Sequence, residues 1–146
     1  MSLLSTVSKP ADRPVIATIT GDAGTGKTTL AATFPKPIFI RVEDGLQAVP
    51  ANIRPDAFPV VNKPDDLWSQ VTTLIKEDHD YKTLVIDSVT QLETLFGEYV
   101  VESDPKKPKS LAVACGGYGA GYLAVSALHG RLRKAAKILN EKRGMN

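Results

Sequence analysis

Val15-Ile16-Ala17-Thr18-Ile19-Thr20, running into Gly21-Asp22-Ala23-Gly24-Thr25-Gly26-Lys27-Thr28, is the stretch whose reading decides the fold. The first segment is β-branched and apolar and reads as a buried strand, and the glycine-rich second segment cannot continue it. Lys27 to Thr33 then suits a short helix, closed at Phe34-Pro35 because the residue before a proline is driven out of the α region. Residues 21–28 satisfy G-x-x-x-x-G-K-[ST] at every defined position, in the strand-loop-helix setting that the motif requires. Gly21, Gly24 and Gly26 let backbone N–H groups curl around phosphate oxygens, and the helix start adds a favourable dipole. Lys27 supplies a point charge near the β and γ phosphates, and the Thr28 hydroxyl can ligate Mg²⁺. The competing explanation is a glycine turn followed by a chance Lys-Thr.

Outward from this loop, strand and helix patterns alternate. Ile38 to Val42 is a second strand, ending at Glu43-Asp44-Gly45, and Phe58 to Val61 is a short further one. Pro64-Asp65-Asp66 opens a helix in which Leu67, Trp68, Val71, Leu74 and Ile75 recur at helical spacing. Lys82 to Asp87 is another clear strand, and Val89, Leu92, Leu95, Phe96, Tyr99 and Val100 mark the helix after it. Such alternation predicts an α/β fold, a parallel sheet with helices on both faces, in one domain spanning residues 1–146. Residues 102–121, with two prolines among lysines and then Gly116-Gly117-Tyr118-Gly119, predict a flexible loop. A last helix carries Leu128, Leu132, Ala135 and Leu139 on one face and Arg133, Lys134 and Lys137 on the other.

The 146 residues are 42% hydrophobic and 23% charged, which suits a folded domain and excludes disordered and collagen-like classes. No apolar run approaches the ~20 residues needed to cross a bilayer, so no membrane role is expected. A single cysteine, Cys115, and two histidines exclude a disulfide scaffold and a His/Cys zinc module. The charge is unevenly spread. Residues 1–100 carry 9 basic and 13 acidic side chains, and residues 101–146 carry 9 basic and 3 acidic, so the C-terminal third is +6. A polyanion is the partner that such a surface suits.

Two further positions carry chemistry. Asp87 ends the apolar run Leu84-Val85-Ile86, so a carboxylate lies at the carboxyl edge of a parallel strand, on the rim that holds the phosphate loop. Its expected role is to hold Mg²⁺, as a Walker B aspartate does. Glu43 and Asp44 close the second strand at the same rim, where a carboxylate can orient and deprotonate an attacking water. Glu43 is the preferred general base, against the plainer reading of an acidic turn before Gly45.

In this order, the loop at 21–28, the strand ending at Glu43 and Leu84-Val85-Ile86-Asp87-Ser88 resemble the RecA-like branch of P-loop ATPases. GDAGTGKTTLAATFPKPIFIRVEDGL, YKTLVIDSVTQLE and GGYGAGY are similar, more closely, to the AAA-type nucleotide-binding proteins of bacteriophages, associated with single-strand annealing and recombination. The resemblance implies phosphate contacts from Gly24, Thr25, Gly26, Lys27, Thr28 and Thr29, Mg²⁺ at Thr28 and Asp87, and water activation at Glu43. It implies ATP as nucleotide, single-stranded DNA as partner, a homo-oligomer, and a cytoplasmic setting, the host's if the chain is phage-encoded. In that family a further strand follows the basic helix and lies between the Walker A and Walker B strands. A chain ending at Asn146 is therefore expected to lack C-terminal strands and to be a weak ATPase alone.

Other readings compete. Asn62-Lys63-Pro64-Asp65 spells the guanine-reading N-K-x-D, but it precedes the Walker B strand instead of following it, so a helix cap is preferred. Tyr118 and Tyr122 can stack on bases beside Lys106, Lys107 and Lys109, or can pack in the core. Arg143 is a candidate arginine finger that no spacing demands. His79, His129, Cys115 and Trp68 read as structural, Cys115 as a small buried thiol. A P-loop alone does not choose the phosphate acceptor, so a small-molecule phosphotransferase and a non-hydrolysing nucleotide-gated module remain open.

Overall fold

The computed structural model describes residues 2–146. Its centre is a sheet of three parallel strands, β1 (Pro37–Arg41), β2 (Asp56–Ala57) and β3 (Thr83–Asp87), in the order β2-β1-β3. Pro37 aligns with Thr83 and Arg41 with Asp87, so β1 and β3 finish level at one rim. Four α-helices complete the fold: α1 (Lys27–Ala32), α2 (Pro64–Lys76), α3 (Val89–Ser103) and α4 (Ala120–Ile138), the last continued by a π-turn, Leu139–Arg143.

Side-chain alternation along β1 builds both layers. Ile38 and Ile40 point into one core with Leu67, Val71 and Leu74 of α2, Leu92, Phe96 and Val100 of α3, and Val125 and Leu132 of α4. Phe39, between them, points the other way and packs with Ala31 and Ala32 of α1, Leu46 and Val49. Helices therefore cover both faces, as the alternating pattern predicts. Phe96, fully buried, stacks on Trp68 at 6.1 Å and meets His129 in a T-shaped pair at 5.0 Å, which ties α2, α3 and α4 together.

Val15 to Thr20 departs from expectation: it forms no strand, and Val15 and Ile16 are about three-fifths exposed. The β propensity of such residues expresses how well they pack on a pleated neighbour, and no neighbouring strand adjoins this segment. Asn146 lies between it and β3. Its N–H donates to the Lys82 carbonyl at 2.8 Å, its carbonyl accepts from the Leu84 N–H at 3.0 Å, and its Oδ1 accepts from the Val15 N–H at 3.0 Å. The segment is thus tethered through one side chain and not through a ladder. Phe58 to Val61 is also not a strand; the two-residue β2 precedes it, though the Phe58 and Val61 N–H groups still donate to β1 carbonyls.

Within residues 102–121, short helical segments stand where a loop was expected. α3 extends to Ser103, and Leu111–Gly116 form a 3₁₀ turn whose Ala114 is fully buried. Gly121 packs closely here, with no room for a Cβ beside the Leu111 carbonyl oxygen. No helix among the described residues is long and apolar enough to cross a membrane.

Candidate nucleotide site

The loop before α1 is exposed throughout, from Gly21 to Gly26. Gly24 and Gly26 have φ of +78° and +88°, the left-handed region that other residues enter only at a cost. Nothing lies within 4 Å of a Cβ added at either, so the backbone shape and not crowding requires glycine there. Lys27 folds back over the loop, its Nζ donating to the Gly21 carbonyl at 2.8 Å and the Asp22 carbonyl at 2.6 Å. The Thr25 hydroxyl also donates to the Asp22 carbonyl, at 2.8 Å. An ammonium has three donors, so one N–H of Lys27 is left to meet a phosphate oxygen.

Across the rim, the Thr28 hydroxyl donates to Asp87 Oδ2 at 2.7 Å. Residues 59 positions apart are joined because α1 starts where the loop ends and β3 finishes at the same rim. A hydroxyl and a carboxylate are the hard oxygen donors that suit Mg²⁺, and a half-exposed rim leaves room for the waters this ion keeps. The Val42 N–H donates to the Asp87 carbonyl at 2.8 Å, which brings the Glu43-Asp44-Gly45 turn alongside; a Cβ on Gly45 would stand 3.9 Å from Asp87 Oδ2.

The two acids of that turn differ. Asp44 Oδ1 accepts from Arg41 Nη1 at 2.9 Å, while Arg41 Nε donates to the Phe58 carbonyl at 3.1 Å. Glu43 is exposed and makes no side-chain hydrogen bond among the described residues. The structure thus joins Thr28 to Asp87 directly, ties Lys27 inside its own loop, and leaves Glu43 one residue beyond Val42. Thr29 is half-buried on α1 without a side-chain hydrogen bond among the described residues. Arg41 and Gly45 were not legible as site residues; an arginine three positions before an acid at a strand end was the available signal.

A family whose description is an AAA domain matches residues 13–142. The chain belongs to this family. No curated protein and no solved structure matches it. The AAA domain is accordingly a nucleotide-binding P-loop ATPase fold, and the match runs from before the phosphate loop to the end of the basic helix.

The remaining candidates of this AAA domain sort by contact. Arg143 caps the end of α2, donating to the Ile75 carbonyl at 3.0 Å and the Glu77 carbonyl at 2.6 Å, so its guanidinium is already engaged. Arg131 lies 4.1 Å from the centroid of the Trp68 ring, a packing contact on the basic face of α4. The N-K-x-D stretch is a helix start: Asp66 Oδ2 accepts from the Asn62 and Lys63 N–H groups at 3.0 and 3.1 Å. His79 Nε2 pairs with the Leu74 carbonyl at 2.9 Å. Cys115 is exposed, contrary to the buried thiol expected, because its φ of +57° turns it out of the 3₁₀ turn. Tyr118 and Tyr122 are exposed and not packed in the core. Surface hollows beside Trp68 and beside His79 and Tyr81 lie away from Thr28 and Asp87, and the 21–26 loop itself is open to solvent.

Proposed function

We propose that this AAA domain binds Mg-ATP on the 21–29 loop and hydrolyses it, with turnover driving assembly or movement of a homo-oligomer on single-stranded DNA in phage recombination or single-strand annealing. The observation that carries the catalytic part is the 2.7 Å contact between Thr28 Oγ1 and Asp87 Oδ2, which unites the Walker A hydroxyl with the Walker B carboxylate. Bound Mg²⁺ would supply charge neutralisation on the terminal phosphates. Lys27 holds the γ-phosphate through its remaining donor while its other two tie the Gly21 and Asp22 carbonyls of the open loop to α1. Glu43 accepts a proton as the water oxygen attacks the γ-phosphorus and the bond to the bridging oxygen of ADP breaks. Asp44 is held by Arg41, which supports Glu43 as the base.

The DNA part draws support from the resemblance of the three quoted stretches, from the +6 charge of residues 101–146, and from the exposure of Tyr118, Tyr122, Lys106, Lys107 and Lys109. Phosphate release measured with and without a single-stranded oligonucleotide tests the whole reading. Release stimulated by DNA supports it. Phosphate transfer to a metabolite without DNA stimulation would make the protein a phosphotransferase, and tight ATP binding without release would make it a nucleotide-gated module.

A further inference from the structure

Arg41 closes β1 opposite Asp87, the last residue of β3. Residues in register on a parallel pair face the same side, and Phe39 and Val85, one alternation back, both pack in the layer that holds α1. Arg41 and Asp87 thus leave the sheet on the side of Thr28, yet the guanidinium makes no ion pair with Asp87 among the described residues. Its Nε donates to the Phe58 carbonyl at 3.1 Å, and its Nη1 donates to Asp44 Oδ1 at 2.9 Å. The arginine side chain is only 22% exposed against 51% for Asp44, so the clamp is anchored at its arginine end. Two backbone bonds brace the same strand end: the Val61 N–H donates to the Arg41 carbonyl at 2.7 Å, and the Val42 N–H donates to the Asp87 carbonyl at 2.8 Å.

Past Val42 the ladder stops. Glu43 and Asp44 make no backbone–backbone hydrogen bond among the described residues, so the course of this turn depends on side chains. Asp44 supplies the tie, to Arg41 and more weakly to Gln47 Nε2 at 3.4 Å. Gly45, the next residue, is the one that nears the Asp87 carboxylate. Glu43 stands between the Val42 tie and the Asp44 tie, exposed, with its carboxylate uncommitted. A planar guanidinium donates in fixed directions, so its bonds to two separate segments set an angle as well as a distance. We infer that Arg41 is a positioning residue for hydrolysis: by bridging Phe58 to Asp44 it fixes the Glu43-Asp44-Gly45 turn against the Asp87 strand end. It acts on the reaction through Asp44 and not by touching the nucleotide. The inference rests on the proposed hydrolytic reading, with Glu43 as the base.

The test is single-turnover phosphate release from Mg-ATP with the full chain in excess, alongside titration of a fluorescent ATP analogue and amide hydrogen exchange. Arg41→Ala should lower the release rate constant by roughly 10- to 100-fold, the scale of a misplaced catalytic group, with analogue affinity unchanged. Arg41→Lys should recover part of the rate, since an ammonium lacks the rigid fork that spans both acceptors. Asp44→Ala should slow release as much as Arg41→Ala, and the double variant should be no slower than either, because both remove one tie. Asp44→Asn, which keeps an acceptor oxygen for Arg41, should lose far less. The Ala48 N–H, which donates to the Gly45 carbonyl, should exchange faster in Arg41→Ala. An Arg41→Ala protein that releases phosphate at the unaltered rate overturns the inference alone. So does a rate loss matched by an equal loss of analogue affinity, or rate losses that multiply in the double variant. If the unaltered protein binds the analogue and releases no phosphate, the hydrolytic reading fails and the inference falls with it.

Discussion

Lys27 is the single cation in the phosphate loop, and two of its three donors already bond to loop carbonyls. Replacing it removes both the charge facing the phosphates and the tie between Gly21, Asp22 and α1. Lys27→Ala should therefore lose Mg-ATP binding or turnover in a folded protein, and isothermal titration with circular dichroism as the folding control checks this. Unchanged affinity would remove the phosphate-site assignment. Glu43→Gln should keep nucleotide binding yet lose on the order of 10² to 10⁴ in hydrolysis rate, the range for a missing general base. Asp44→Asn should affect rate far less, because Asp44 is held by Arg41. A reversal of these two rates would reassign the base to Asp44.

Among the elements, α2 shows how local chemistry starts a helix. Pro64 enters at the first position with its φ already suitable, and Asp66 accepts the Asn62 and Lys63 N–H groups that the helix leaves without partners. Asp66→Ala should destabilise the domain by about 1 kcal/mol, seen as a lower urea midpoint with an unchanged slope. The end of α3 is pH-dependent through Asp104. Chiefly the Lys106 N–H, and then the Cys115 N–H, hold its carboxyl below the ordinary value. A group with a depressed folded pKa stabilises fully above its unfolded pKa and loses that effect as pH falls through the folded one. Protection of the Lys106 and Cys115 amides, corrected for intrinsic exchange, should thus hold at neutral pH and fall in the acid carboxylate range. Protection that rises on acidification would contradict this linkage.

For the whole molecule, the decisive layer is the helical core over one sheet face, where Phe96 contacts Trp68 of α2 and His129 of α4. Phe96→Ala should cost about 3 to 5 kcal/mol, a large part of the ~5 to 15 kcal/mol that stabilises a domain. Leu123→Ala, at a position 72% exposed, should stay within about 0.5 kcal/mol. Equal melting shifts for the two would mean that the core does not set stability.

The sequence alone determined the glycine turn before α1, the Asp87 strand end, β1 and β3 to within a residue or two, and helices α1 to α4. Each depends on patterns within a few residues: glycine at turn positions, apolar spacing of two or near 3.6, and prolines that stop helices. Tertiary structure alone decided what depends on distant partners. Val15 to Thr20 has the composition of a strand, but a strand needs a neighbour for its backbone groups, and Asn146 meets only Val15. Glu43 is preferred to Asp44 from its place at the strand end, and what the structure adds is that Arg41 pairs with Asp44 while Glu43 makes no side-chain hydrogen bond among the described residues. Cys115 and Tyr118 have residue types common in cores, yet both are exposed on a run from Cys115 to Gly119 with positive φ, where the Cys115 N–H is held by Asp104. Composition and spacing carry information along the chain, whereas exposure and pairing are set by which segments share the space.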